Sequence, residues 1–328
     1  MNKMNKKVIA VITAIMLLAT CLTGCGGGGD KAADPARISF ASGGTSGTYY
    51  PIAGAISTLW TDKVEGLTVD VQSTGASAEN LNLINKGEAE VALVQNDVMY
   101  YAYTATESFA GVDKNESFLT LGTVYPEVVQ LVVAGDAGIE TLADLKGKAV
   151  SIGDVGSGVE SNAKQILAAA GIGLDEITVR NLGFGESANG IKDKTLDAAF
   201  VTAGTPTTAV TELAATNDIK VLSLDQAVID QLCADYGYYT EFVIPADVYG
   251  TDADAKTVAV KATIVVKADL SEGLVYNMTK ALFENLDVVA ESHAKGKELS
   301  LNGAVDGVSV PLHPGAAKYY AEQGLDVE

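Results

Sequence analysis

The sequence predicts an α/β fold made of two halves of like topology that face each other across a ligand cleft. Three features point there. Short apolar runs alternate with longer amphipathic ones along most of the 328 residues, as strands alternate with helices in α/β proteins. Polar turns rich in Gly, Ser and Thr fall between one strand signal and the next helix signal, at the strand ends where open α/β sheets take ligands. Residues 83–94 (LINKGEAEVALV) and 190–201 (GIKDKTLDAAFV) echo each other: each is a helix end, a charged turn, an acidic residue and a buried strand.

The elements follow in order. Residues 37–41 read as a strand, 42–48 as a polar turn and 49–60 as a helix. A strand at 67–72, a turn at 73–77, a helix at 78–86 and a buried strand at 91–94 repeat the plan. The middle opens with a strand at 128–133 and a short amphipathic approach at 142–148, then a strand at 149–152, a glycine-rich turn at 153–158 and a helix at 159–170. Another strand at 177–181, a helix at 186–192 and a strand at 198–202 complete it. Gly204-Thr205-Pro206 opens a helix running to 215, with Thr205 as cap and Pro206 at the first helical position. Strands at 241–244 and 263–266, a helix at 271–286 and a C-terminal amphipathic stretch close the chain. Crossings between halves are expected near 123–125 and 242–245, giving lobe I as residues 37–124 with 245–328 and lobe II as residues 125–244.

Composition bounds the function. With 48% hydrophobic residues, 34 Gly and 7 Pro, the chain has an ordinary globular make-up, enough for about two domains at roughly 100–200 residues each. Lys+Arg 22 against Asp+Glu 42 gives a charge of −20, the wrong sign for nucleic acid. Three Cys and two His, scattered along the chain, exclude a zinc cluster of those ligands. No metal or cofactor is expected.

The N-terminus reads as a targeting segment. Lys3, Lys6 and Lys7 precede an apolar run from Val8 to Ala19, too short for a membrane span but suited to a signal peptide. Leu22-Thr23-Gly24-Cys25 resembles the bacterial lipobox. That resemblance implies that residues 1–24 are removed, that Cys25 carries lipid, and that residues 25–36 tether the protein to the bilayer on the outer side of the membrane. A plain secretory signal or an uncleaved anchor is the alternative. Removing residues 1–24 takes the charge to −23 and leaves Cys233 as the only free thiol.

Three turns share one chemistry: residues 42–48 (SGGTSGT), Gly156-Ser157-Gly158 and Gly204-Thr205-Pro206. Glycine permits tight turns and close ligand approach, and free N–H groups at a helix opening favour anions. Each turn taken alone is better explained by capping. Three of them in two mirrored halves favour a cleft ringed by helix N-termini. None matches a nucleotide-binding glycine motif. Tyr49 and Tyr50 begin the first helix, where one can face the core and the other a ligand. Gln95, Asn96 and Asp97 directly follow a buried strand, with Asp97 favoured as a helix cap. Tyr125-Pro126-Glu127 stands near the first crossing and is a candidate wall of the cleft.

Catalytic signatures are lacking. Ser161-x-x-Lys164 and Ser292-x-x-Lys295 match a four-residue pattern that recurs by chance, and no G-x-S-x-G elbow exists. His293 and His313 have no nucleophile motif to serve.

Taken together, Ser42-Gly43-Gly44 … Gly47-Thr48-Tyr49-Tyr50-Pro51, residues 142–158 (LADLKGKAVSIGDVGSG), Asp197-Ala198-Ala199-Phe200 … Gly204-Thr205-Pro206 and the tail Val310-Pro311-Leu312-His313-Pro314-Gly315-Ala316 resemble the TAXI solute receptors. Those receptors serve tripartite ATP-independent periplasmic (TRAP) transporters. The resemblance spans about residues 38–325. It implies a type II periplasmic-binding-protein-like fold with a hinge, a small carboxylate-bearing solute such as glutamate or a related amino or organic acid, and hand-off to an integral-membrane TRAP permease at the cell envelope. Carried over by position, the contacts are Gly44, Thr45, Tyr49, Tyr50, Gln95, Asn96, Gly156, Ser157, Gly158, Gly204 and Thr205, with Tyr125, Val159 and Pro206 beside them. Val159 stands where Thr is expected, and His313 takes a structural role. Arg37 and Arg180, the only arginines, have no motif placing them in the cleft. The rival readings are the receptor of an ATP-driven (ABC) importer, a cell-surface enzyme using Ser157 or Ser161, and an adhesin or sensor ectodomain.

Overall fold

The protein is described here by a computed structural model covering residues 37–327. The signal segment, Cys25 and the tether lie outside the described residues.

The chain runs β1 (Arg37–Ala41), α1 (Tyr49–Lys63), β2 (Thr68–Gln72), α2 (Ser77–Lys86), β3 (Val91–Gln95) and α3 (Asn96–Thr104), then a long strand β4 (Phe118–Ala134). Next come β5 (Ala149–Ser151), α4 (Gly158–Ala169), β6 (Thr178–Arg180), α5 (Phe184–Lys192), β7 (Ala198–Ala203) and α6 (Thr208–Ala214). After β8 (Ile219–Leu222), α7 (Gln226–Asp235) and β9 (Thr240–Ile244), the chain returns through β10 (Ala255–Lys267). Helices α8 (Glu272–Phe283), α9 (Leu286–Ser292) and α10 (Pro314–Glu322) complete it.

The strands form one sheet in the order β2-β1-β3-β10-β4-β7-β5-β6, with β8 on β4 and β9 on β10. Each end is a parallel trio, β2-β1-β3 and β6-β5-β7, and the long strands β4 and β10 join them antiparallel. All five residues of β3 and all six of β7 are buried, as parallel strands covered on both faces require.

The echoed segments do the same work in each trio. Glu90, just before β3, accepts from the Ser39 amide of β1 at 2.7 Å, and the Glu90 amide donates to the Ser39 carbonyl at 3.1 Å. Asp197, just before β7, repeats both bonds with Ala149 of β5, at 2.8 and 2.9 Å. In each case an acidic side chain satisfies the edge amide where parallel pairing ends.

The cores divide along the two long strands. Leu121, Val124 and Tyr125 of β4 pack with Ala262, Ile264 and Val266 of β10 and the C-terminal helices, around Trp60. The Trp60 indole stacks on Phe40 at 5.6 Å and donates to the Met278 carbonyl at 2.8 Å. Val129, Leu131 and Val133 instead join Val258 and Val260 in a second core with α4 and α7. One strand pair therefore feeds both of these cores.

Several expectations need correction. Strand signals covered only 128–133 and 263–266, yet β4 and β10 are 17 and 13 residues long. Gly122, Pro126 and Glu127 interrupt the apolar run, and two register shifts against β10 bulge the strand. The helix expected to start at Pro206 begins at Thr208, with Thr207 at its cap position. The 271–286 helix ends at Phe283, and α9 begins separately. Helices α3 and α7 and strand β8 lie where no element is expected from the sequence. His313 caps α10: Nδ1 accepts from the Gly315 amide at 3.2 Å and Nε2 donates to the Leu270 carbonyl at 3.1 Å.

Candidate functional site

A cavity of about 450 Å³ lies where the two parallel trios face each other. Four helix openings line it: residues 43–49 before and within α1, 73–77 before α2, 157–159 at the start of α4 and 183–186 at the start of α5. Gln95, Glu127, Asp154, Asn189, Thr202 and Ala203 fill the wall between them.

Buried polar side chains fix these turns. Asn80, fully buried on α2, donates to the carbonyls of Ser42 and Leu93, both at 2.7 Å, and accepts from the Thr74 hydroxyl at 2.6 Å. One amide thus ties both N-terminal turns to β3. Ser73 donates to the Gly43 carbonyl at 3.0 Å and Ser42 to the Gln72 carbonyl at 2.7 Å. Ser157 is the α4 cap, its hydroxyl accepting from the Glu160 amide at 3.1 Å. Gly156 holds φ +76°, a conformation natural to glycine alone.

The two sides also meet at the seam. The Thr48 hydroxyl donates to the Gly204 carbonyl at 3.3 Å, the Ala78 amide to the Gly156 carbonyl at 3.1 Å, and the Ala209 amide to the Ser46 carbonyl at 3.3 Å. Gly47 packs against the Phe184 ring, where an added Cβ would sit at 3.3 Å.

The site's electrostatics are lopsided. Glu127, Asp154 and Glu186 line the cavity, and among the described residues no Lys, Arg or His does. Glu127 is 2% exposed and accepts from the Tyr49 hydroxyl at 2.8 Å. Burial, only partly offset by that bond, pushes its carboxyl up to about 8. Asp154 is raised by burial and by neighbouring Glu186 and Glu79. Glu79, Glu160 and Glu186 sit in the first turns of α2, α4 and α5 and accept from the amides of Gly75, Gly156 and Gly183 at 2.7, 2.8 and 3.4 Å. Only α1 of the four opens without an acidic residue. Its amides are the strongest anion-attracting feature here.

Of the residues singled out in the sequence, Gly44, Thr45, Tyr49, Gln95, Ser157, Gly158 and Val159 line the cavity. Gly156 and Gly204 stand in the seam, each offering its carbonyl to the other side, and neither Thr205 nor Pro206 is among the lining residues. Tyr50 lies on the outer face of α1, in a second groove with Thr58 and Val69. Asn96 is turned to the backbone, accepting from the Lys261 amide at 3.0 Å and donating to the Gly307 carbonyl at 3.3 Å. Tyr125 is buried in the first core, and Asp97 accepts from Asn162 at 2.9 Å. Arg37 pairs with Asp70 and Arg180 bonds the Val179 carbonyl, both at the surface. The turns at 73–77 and 183–186 were missed as ligand candidates. The strand–turn–helix signal was present at the first, and the second reads Gly183-Phe184-Gly185-Glu186, glycines followed by an acidic residue.

Residues 40–324 match the NMT1-like family. The chain belongs to that family. Solved structures like this family member include a binding protein component of an ABC phosphonate transporter from Pseudomonas aeruginosa, at TM-score 0.54 and 13% identity over 84% of each chain. An ancestral arginine-binding protein bound to arginine follows at TM-score 0.50 and 14% identity, covering 81% of this chain and 99% of that one. A protein from Bordetella bronchiseptica scores 0.52 at 16% identity over 88% and 82%. At these identities the likeness speaks to the fold: two-lobed and periplasmic-binding-protein-like, with the cavity between lobes.

Proposed function

We propose that this chain is an extracytoplasmic solute-binding receptor that captures a small amino or organic acid between its lobes and delivers it to a membrane importer. The observation that carries this is the convergence of four helix openings from both trios on one cavity sized for a small molecule. We place the solute carboxylate at the α1 opening, where the 43–49 turn brings backbone amides and no acidic first-turn residue competes. The lobes close about β4 and β10, with crossings at residues 125–128 and 259–262 where the two cores part. Cys25 anchors the tether to the membrane in this reading. In this reading the receptor is non-catalytic: the Ser157 hydroxyl is engaged as a helix cap, and among the described residues no histidine lines the cavity.

The neighbour that is a binding protein component of an ABC phosphonate transporter supports an ATP-driven importer as the partner. The TAXI-like motifs support a TRAP-type permease. Crosslinking the solute-loaded protein in its native membrane separates the two, by yielding either an importer with an ATP-binding subunit or a large ion-driven permease. Among the described residues no helix is long and apolar enough to cross a membrane.

A thermal-shift screen of the full chain against amino acids and organic acids tests the receptor reading. A specific solute raises the melting temperature by mass action, and a flat response across the screen contradicts the proposal.

A further inference from the structure

The cavity holds a buried acid with no positive partner. Glu127 meets Tyr49 of α1, Gln95 of β3, Asp97 of α3 and Tyr125 of its own strand, so every titratable neighbour is neutral or acidic. Lys295, the one buried lysine among the described residues, is committed to Glu298 at 2.6 Å. Lys261 reaches the Asp306 carbonyl at 3.2 Å.

Two further cavity-lining side chains each carry an acceptor oxygen without a partner. Gln95 Oε1 and Thr202 Oγ1 are buried without a hydrogen bond, in residues only 2% and 4% exposed. Buried polar atoms are ordinarily satisfied. The unmet capacity here includes an amide oxygen and a hydroxyl oxygen near the Glu127 carboxyl group: the Gln95 side chain hydrogen-bonds Glu127, and Thr202 pairs with Val129 across β4 and β7. A folding core gains nothing from such a set, because a buried carboxylate without a cation is costly.

We infer that the solute carries a protonated amine, and that Glu127, with Gln95 and Thr202, is the acceptor set that receives it. This rests on the receptor reading above and narrows it. The solute class is an amino-acid-like zwitterion, with its carboxylate at the α1 opening and its ammonium at Glu127. An ammonium offers three donors, matching carboxylate, amide oxygen and hydroxyl oxygen in number and sign. Dicarboxylates, sulfonates and phosphonates lack that donor group and would meet three carboxylates with no basic side chain among the lining residues.

Titration calorimetry on the full-length protein with matched pairs tests the inference: each amino acid against the same acid without its amine, for example glutamate against glutarate and alanine against propionate. The amine-bearing member is expected to bind, and its amine-free partner to be weaker by about tenfold to a hundredfold, the worth of a charged hydrogen bond. Glu127→Gln should cost the amine-bearing solute a similar factor, and Thr202→Val a smaller one. Amine-free acids binding as tightly as their amino counterparts overturns this inference and leaves the receptor reading intact. No binding in either series contradicts both. The comparison within wild-type protein needs no variant to fold.

Discussion

The Tyr49 hydroxyl donates a 2.8 Å hydrogen bond to the buried carboxylate of Glu127, across the gap between the first helix and the long crossing strand. Tyr49 starts α1, whose opening offers amides to the cavity, and Glu127 stands beside the point where β4 passes from one core to the other. A single contact thus joins the anion-attracting end of the site to its acidic floor.

That floor makes stability depend on pH. Glu127 titrates at about 8 in the fold against an ordinary 4.5, so the unfolded chain binds fewer protons between those values. The solute-free protein therefore loses stability as pH rises from about 4.5 through 8, and Asp97, raised to about 6, adds to the loss in the lower part of that window. We predict that Glu127→Gln flattens the slope and is more stable than wild type at pH 8 by roughly 1–3 kcal/mol. Chemical denaturation at pH 5 and pH 8 measures it. An unchanged slope removes Glu127 as its source.

Solute binding should show the opposite trend. A protonated amine favours ionised Glu127, so binding below pH 8 releases a proton and affinity rises by up to about tenfold per pH unit toward that value. Calorimetry in buffers of different ionisation enthalpy reads the released proton directly. Affinity independent of pH between 6 and 8 contradicts this linkage.

Asn80 does not itself line the cavity yet sets two of its turns. Asn80→Ala removes its bonds to the carbonyls of Ser42 and Leu93 and its acceptor for the Thr74 hydroxyl, which keeps only its 3.1 Å bond to Ser42 as a donor, and we predict a loss of about 2–4 kcal/mol in stability with weakened solute binding. Asn80→Asp keeps the acceptor while losing both donors, and should recover little. Melting curves of both variants decide it.

Gly158 leaves no room for a side chain: a Cβ there would lie 2.0 Å from Gln95 Oε1. Gly158→Ala is predicted to displace the Gln95 amide and reduce solute affinity at least tenfold, by way of about 1.4 kcal/mol or more of lost contact. An unaltered solute response would remove Gln95 from the site.

Gly204 is a seam residue. A Cβ would stand 2.6 Å from Lys295 and 3.1 Å from Thr48, so Gly204→Val should hold the lobes apart and leave the solute-bound protein with the larger radius of gyration of an open form. Small-angle scattering with and without solute is the check, and full compaction of the variant would argue against closure at this seam.

Much of this was legible in the sequence because it depends on local chemistry. The strand–turn–helix units at Arg37–Ala41 and Tyr49–Lys63 and at Ala149–Ser151 and Gly158–Ala169 announce themselves by apolar runs, glycine turns and capping residues. The acidic residues of the echo, Glu90 and Asp197, proved equivalent down to their hydrogen bonds. What stayed hidden depends on contacts far apart in sequence. Glu127 reads as part of a candidate cleft wall, but only the pairing of Phe118–Ala134 with Ala255–Lys267 shows that it is buried under Tyr49. Thr205-Pro206 carries the local signature of a helix start, but Thr207 takes the cap position and its hydroxyl returns to the Gly204 carbonyl at 2.8 Å. Ser157 reads in the sequence as a ligand contact in a glycine turn. As the α4 cap it also supports the fold, so its replacement costs about 1 kcal/mol even without solute.

Hydrogen exchange of the full-length protein, with and without a solute found in the thermal-shift screen, tests the central claim most directly. Slower exchange is expected together in residues 43–49, 73–77, 157–159 and 183–186, four stretches drawn from both lobes. Protection confined to one lobe, or to the outer groove beside Tyr50 and Thr58, would contradict an interlobe site.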